Sequence, residues 1–345
     1  MTRTLILALT FTALALGSCR ESTSPTQSEA TKDRVPTAPS FTLASNSWVA
    51  RARIPTARIE LLAGVVTNSA GEPILYVFGG NDPIEEFPVL TIEAYNYAIN
   101  SWTTKSSRLR AFRMNGASVI GGKLYISGGL ANTGDGFAAL QTMYAYDPVS
   151  DHLTIRADTP RPSAGGVTGV IGGKLYLLIG SGGDFGAASS RRFYRYDPAA
   201  NRWTSLPSCP HVHKQGAGAV SKGKFYVAGG FDAVGVSANL DVYDPVTNKW
   251  KILVPLPSGR VAAAGAAVRG KFYVMGGGGA AGDKKVYAFD PLTNTWNTRA
   301  SLLTGRHSLS AAPLVTPAGN SKILAVGGFN SSDTTSASAN ELYTP

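Results

Sequence analysis

A glycine doublet that follows a short apolar run returns about every 50 residues along this 345-residue chain. It stands at Gly79-Gly80, Gly128-Gly129, Gly229-Gly230, Gly276-Gly277 and Gly327-Gly328, with a slipped copy at Gly182-Gly183 in "LLIGSGG". A repeat of this length is one supersecondary unit, which cannot bury its apolar face alone and must stack on its copies. Two further landmarks keep the phase. "YNY", "YAYDP", "YRYDP", "VYDP" and "YAFDP" follow the first five doublets, and after them come Trp102, Leu153, Trp203, Trp250 and Trp296. The unit therefore reads as a strand of small residues, a strand ending in Gly-Gly, a variable loop, a strand ending in Asp-Pro, and a strand carrying Trp.

Each landmark has a physical reason. The first strand reads "LLAGVV", "NGASVI", "AGGVTGV", "GAGAV", "AAGAAV" and "LSAAPLV", with Gly, Ala and Ser where β-branched residues are expected. Strands crowded around one axis need small side chains. Gly-Gly reaches backbone conformations closed to other residues. In Asp-Pro the Asp bonds its own downstream backbone and Pro presets φ, which sets a tight turn. The tryptophan is a large apolar wedge between neighbouring units. This pattern also disposes of a tempting motif in "KFYVMGGGGAAGDKKVY": Gly277, Gly279 and Gly282 fit G-x-G-x-x-G, but neither a helix nor an acidic residue about 20 positions on follows.

Six coincident copies over residues 46–345 resemble kelch repeats. The resemblance implies an all-β fold, a six-bladed kelch β-propeller with four antiparallel strands per blade, here called a to d. The last copy stops at "NELYTP", with Thr344-Pro345 where Asp-Pro belongs, and "SNSWVARA" with Trp48 supplies its missing strand d at the start of the fold. The N-terminal strand thus completes the C-terminal blade, and closure removes an exposed sheet edge.

Residues 1–18 stand outside that fold. Arg3 precedes the apolar run Leu5 to Leu16, which is short for a membrane span, and "LGSC" ends at Cys19. This resembles a bacterial lipoprotein signal peptide with its lipobox. The resemblance implies cleavage before Cys19, lipidation of its thiol, and a domain held outside the cytoplasm on the cell envelope, in the periplasm or at the cell surface. Residues 19–45 are rich in Ser, Thr and Pro and read as a flexible tether. Roughly 25 such residues reach on the order of 25–30 Å. With Cys19 lipidated, Cys209 has no disulfide partner, so an apolar core must stabilise the domain.

Strands that alternate in direction put d–a and b–c connections on one face and a–b and c–d turns on the other. The b–c loops vary most in sequence. Beside them, where strand a begins, stand Arg58, Arg113, Arg161, Lys214, Arg260 and Arg306, one per blade. Such a ring is read as a receptor for carboxylate or phosphate. Loop carboxylates are Glu60, Asp135, Asp184, Asp232 and Asp283, with Glu85 and Glu86 in the longest loop taken as the weak catalytic candidates. The bare fifth loop, with Gly278, Gly279 and Gly282, suggests a gap in the rim beside Arg260. Net charge is +10, but the basic residues are scattered and form no nucleic-acid-binding run.

"CPHVHK", Cys209 to Lys214, places His211 and His213 at alternate positions. A closed metal site needs three or four ligands, and His152 and His307 lie in other repeats, so neither metal nor cofactor is expected. Copper-radical oxidases also carry kelch repeats, but Cys209 alone does not supply their ligand set. The first functional reading is a monomeric, lipid-anchored binding module for a glycan, an acidic ligand or an envelope protein, acting through the d–a and b–c face. The alternative follows from distant similarity to N-acetylneuraminate epimerase, a sialic acid mutarotase: a carbohydrate epimerase or mutarotase acting on an acidic sugar.

Overall fold

The computed structural model describes residues 45–85, 87–108, 116–132, 137–182, 189–278 and 282–345. These form six four-stranded antiparallel sheets arranged as the blades of a propeller. Blade 1 consists of Leu62–Thr67, Pro73–Phe78, Thr91–Asn96 and Ser101–Arg108. Blades 2 to 5 repeat that plan, with innermost strands Ala117–Ile120, Val167–Ile171, Ala217–Ser221 and Ala264–Val268. In blade 6, Ser310–Val315, Ser321–Val326 and Asn340–Thr344 are joined by Ser47–Ala50 as strand d. Ser47 pairs with Thr344 and Ala50 with Glu341, so the ring closes through its termini as the sequence implies.

The inner strands show why small residues recur there. A Cβ on Gly265 would stand 2.5 Å from the Gly218 carbonyl oxygen, and one on Gly218 would meet Val167 Cγ1 at 2.1 Å. Backbone meets backbone at the first point and a valine methyl at the second, and even alanine forces the blades apart. Strand b, by contrast, is apolar on both faces. In Lys271–Met275, Phe272, Tyr273, Val274 and Met275 are all buried, because each blade is sandwiched between two neighbours. Neighbouring blades share their cores: Phe272 and Val274 pack with the blade 4 residues Tyr226 and Val242, while Tyr273 and Met275 pack with Ile323 and Tyr343 of blade 6.

The outer landmarks act through hydrogen bonds as well as through area. The Nε1 of Trp102, Trp203, Trp250, Trp296 and Trp48 donates to the carbonyl of Ala52, Ala157, Pro207, Val254 and Ala300. Every acceptor lies just after strand d of the preceding blade, so each indole fastens one blade to the next. Strand c adds a second clamp. The hydroxyls of Tyr95, Tyr196, Tyr243 and Tyr343 donate to Asn100, Asn201, Asn248 and Asn46, and that of Tyr146 to Asp151. All five acceptors hold positive φ, a conformation that Asn and Asp tolerate.

The Asp-Pro turns form as expected. Asp147, Asp197, Asp244 and Asp290 accept through Oδ1 from the backbone two residues on, and through Oδ2 from Lys123, Lys174, Lys224 and Lys271. These exposed ion pairs are worth about 0–1 kcal/mol each. In blade 6, Thr344 replaces the Asp and takes the Lys322 ammonium on its hydroxyl. One landmark is out of place. The third doublet position is held by Ile179-Gly180 rather than Gly182-Gly183: Ile179 N–H bonds Arg192 O just as Gly229 N–H bonds Asn239 O.

Candidate functional site

Among the described residues, the channel mouth on the b–c face is framed in five of the six blades by one residue at the entry to strand a. Glu60, Gly165, Gln215, Ala262 and Ser308 all hold φ between 53° and 63°. Their backbones are linked in sequence: Glu60 N–H donates to Ser308 O, Ser308 to Ala262, Ala262 to Gln215, and Gln215 to Gly165, at 2.8–2.9 Å. A left-handed conformation costs a residue with a side chain on the order of 1–3 kcal/mol. The belt of bonds between blades holds it in place. A cavity of about 170 Å3 opens there, with Glu60, Gln215 and Ser308 among its lining residues.

The cationic ring lies behind this frame rather than on it. Isolated bridges fix the register of strand entry: Ile59 pairs with Asn81, Ala164 with Ser181, Lys214 with Phe231 and His307 with Phe329. The position just before them is held by Arg58, Ser163, His213 and Arg306, and by Arg260 in blade 5. Arg161 and Lys214 are therefore two residues before and one residue after the register position. Arg161 is exposed and Lys214 half-buried. Arg113 and Glu86 lie outside the described residues, as do Asp135, Asp184, Cys19 and the leader and tether up to residue 44.

Of the four described arginines of the ring, Arg58, Arg260 and Arg306 are internal struts. Arg58 is fully buried, its Nη2 2.6 Å from Glu93 Oε2 and its Nη1 on the carbonyls of Gly79 and Thr91. Burial lowers the pKa of this guanidinium, and the Glu93 charge and hydrogen bond oppose that. Arg306 is likewise buried, with Nη2 3.5 Å from Glu341 and 3.1 Å from Ala325 O. Arg260 bonds Gly276 O and Asp283 and lies 4.8 Å over the Tyr287 ring. Each ties the start of strand a to strands b and c of its own blade. The expectation of a solvent-facing ring is corrected at Arg58, Arg260 and Arg306, because each guanidinium faces an acid or an aromatic of its own blade.

The partner on strand c follows the same register. Pairing opposite Val77, Leu177, Val227, Val274 and Ala325 are Glu93, Tyr194, Asp241, Tyr287 and Glu341. Arg meets Glu in blades 1 and 6, Arg meets Tyr in blade 5, and His213 meets Asp241 in blade 4. This pairing is not visible in the sequence, because its members stand 27 to 35 residues apart across loops of variable length.

The remaining loop residues divide by exposure. Glu85 lies on an exposed turn held by Asp82 and is not among the residues lining the mouth cavity. Asp232 caps the turn to Val234. Asp283 folds onto Arg260, and a Cβ on Gly282 would fall 2.4 Å from Arg306 Cα, so the described part of the fifth loop packs on blade 6 instead of leaving a gap beside Arg260. Large apolar side chains stand out on two loops. Ile84 and Phe87 in blade 1 are 75% and 68% exposed, and Val234 in blade 4 is 96% exposed beside Phe231 and Val236. The blade 4 loop is stiffened by a short hairpin, Phe231–Asp232 with Gly235–Val236.

The Kelch motif matches residues 214–257 and 259–303, and a second Kelch motif description matches 162–210. The chain carries kelch motifs on a six-bladed propeller. It is 32% identical over 100 residues to Kelch-like protein 36 of Bos taurus, covering 28% of this chain and 16% of that protein. It is 30% identical over 125 residues to Kelch-like protein 24 of Rattus norvegicus, covering 34% and 17%. The chain thus spans about a sixth of the length of these curated relatives. Among solved structures it resembles that of YjhT with a TM-score of 0.68 at 15% identity, over 84% of this chain and 94% of the other. That likeness is one of fold.

Proposed function

We propose that this kelch propeller is a binding module that takes a protein partner on its b–c face. The observation that supports this reading is the exposed apolar pair of loops. Ile84 and Phe87 on blade 1 and Val234 and Val236 on blade 4 stand three blades apart in a ring of six, on opposite sides of the mouth. Exposed apolar clusters on a rigid frame mark interaction surfaces. The acidic-ligand and glycan readings lose support, because Arg58, Arg260 and Arg306 already face internal partners.

In the same reading the chain is exported and anchored through a lipid on Cys19. Strand d of blade 6 begins at Ser47 on the c–d face, opposite the b–c loops. Cys19→Ala is expected to move the protein from the membrane fraction to the soluble fraction; continued membrane association would remove the anchor from the reading.

Crosslinking in envelope fractions tests the partner. Phe87→Asp combined with Val234→Asp should abolish the crosslinked species, while Val149→Asp combined with Val246→Asp on the opposite face should leave it intact. Equal loss in both variants would sink the proposal. A second reading, sugar mutarotation, draws on Glu60 at the strained mouth cavity. Faster exchange of sialic acid anomers in proton NMR, abolished by Glu60→Gln, would favour it over partner binding.

A further inference from the structure

Three positions recur in front of strand a, at spacings of two residues, and a fourth faces them from strand c. The first is a buried plug whose N–H bonds the preceding blade: Ile54, Thr159, Cys209, Leu256 and Leu302. Two residues on stand Thr56, Arg161, His211, Ser258 and Thr304. Two further on stand Arg58, Ser163, His213, Arg260 and Arg306. Blade 1 fills the set with Ile54, Thr56, Arg58 and Glu93, and blade 6 with Leu302, Thr304, Arg306 and Glu341. Blade 4 fills it with Cys209, His211, His213 and Asp241, so all four positions carry metal-ligating side chains on the scaffold that elsewhere holds a plug, a hydroxyl and an Arg–Glu pair.

The side chains converge. Asp241 Oδ2 lies 3.3 Å from Cys209 Sγ, 3.0 Å from His213 Nε2 and 3.0 Å from His211 Nδ1. Ligand atoms of Cys209, His213 and Asp241 all fall within 4.8 Å of one another, and all three residues are buried. The two imidazole planes stand at 86°, approaching from different directions. His213 Nδ1 is 2.7 Å from Gly229 O. A carbonyl only accepts, so Nδ1 carries a proton, and Nε2 is the ring atom that faces Asp241 and is placed to take a cation. This is the outer-shell bond that orients histidine ligands in metal sites. His211, with 30% of its side chain exposed, opens the cluster to solvent.

We propose that Cys209, His211, His213 and Asp241 form a four-ligand site for a zinc-class divalent cation. Bonds of about 2.0–2.3 Å in a tetrahedron set ligand atoms about 3.3–3.7 Å apart; Asp241 Oδ2 stands 3.0–3.3 Å from the other three, Cys209, His213 and Asp241 lie within 4.8 Å of one another, and the half-exposed His211 turns inward to complete the four. The mixed thiolate, imidazole and carboxylate set suits zinc and cobalt rather than magnesium or calcium. The ion would staple the link between blades 3 and 4, since Cys209 N–H bonds Arg191 O of blade 3 while Asp241 belongs to strand c of blade 4.

Cobalt titration of the metal-stripped full chain tests the site. One equivalent of Co2+ should give the near-ultraviolet thiolate charge-transfer band together with tetrahedral visible bands. Cys209→Ser, with Cys19 retained, should abolish the near-ultraviolet band, and His211→Ala should weaken Co2+ binding at least tenfold. His213→Arg combined with Asp241→Glu rebuilds the pair found in blade 1, and should keep the native circular dichroism and melting temperature while losing the cation. No charge-transfer band in folded wild type, or a band that survives Cys209→Ser, would overturn the proposal and leave a hydrogen-bonded cluster in which His213 stands in for arginine.

Discussion

Glu93→Ala is expected to destabilise the propeller by about 3–5 kcal/mol, although it removes a side chain that touches no solvent and no ligand. The reason lies in what it leaves behind. Arg58 is fully enclosed, and its Nη2 has the Glu93 carboxylate at 2.6 Å as counter-charge. Without that carboxylate the guanidinium is buried with backbone carbonyls and the Thr91 hydroxyl, and Thr56 loses its acceptor as well. The partnered double change Arg58→Met with Glu93→Leu removes both charges, and should recover most of the loss. Urea unfolding of the three variants measures this. A single-variant loss under about 1 kcal/mol, of the size seen for exposed ion pairs, would show that water reaches the pair.

Removing residues 1–51 is expected to cost on the order of 4 kcal/mol or more and to make the protein associate. The truncation strips strand d from blade 6. It takes away the pairing of Ser47–Ala50 with Glu341–Thr344, the Trp48 indole that bonds Ala300 O, and the Asn46 side chain that accepts from Tyr343 and from Ala300 N–H. Trp48 also packs on Tyr343 at 4.9 Å between ring centres. Strand c of the last blade then becomes an open edge. Size-exclusion chromatography and urea unfolding read the two effects, and a peptide of residues 43–52 added in trans should reverse both. An unchanged unfolding midpoint would mean that closure at the termini contributes nothing.

The blade plan was legible because its signals are local. Gly-Gly, Tyr-x-Tyr-Asp-Pro and the Trp strand each lie within a few residues of the turn or clamp they build, and they recur often enough to confirm one another. Even the missing strand of the last copy could be found at the other end of the chain. The cationic ring was harder. Matching basic residues by type selected Arg161 and Lys214, whereas the buried plugs Thr159 and Cys209 set the register four residues ahead of Ser163 and His213. A lone charge in a sequence does not reveal its partner. Glu93, Asp241 and Glu341 reach the ring only after strands b and c have paired. The same distance concealed the blade 4 cluster, whose carboxylate, Asp241, joins Cys209, His211 and His213 only through strand pairing. The slipped doublet has a simpler cause: Ile179 takes a glycine's place in the backbone pattern, and the eye moves on to the next two glycines.

The described main-chain bonds along the mouth act as a stiff arc. Glu60, Ser308, Ala262, Gln215 and Gly165 are tied in series across five blades, so widening one seam stretches the bonds at its neighbours. Along that arc the bore is set by backbone and not by the side chains around it. Loop sequences can drift and partners can change while the arc keeps its shape, which places the tuning of recognition in the crown of loops and the constancy of shape in the arc beneath it.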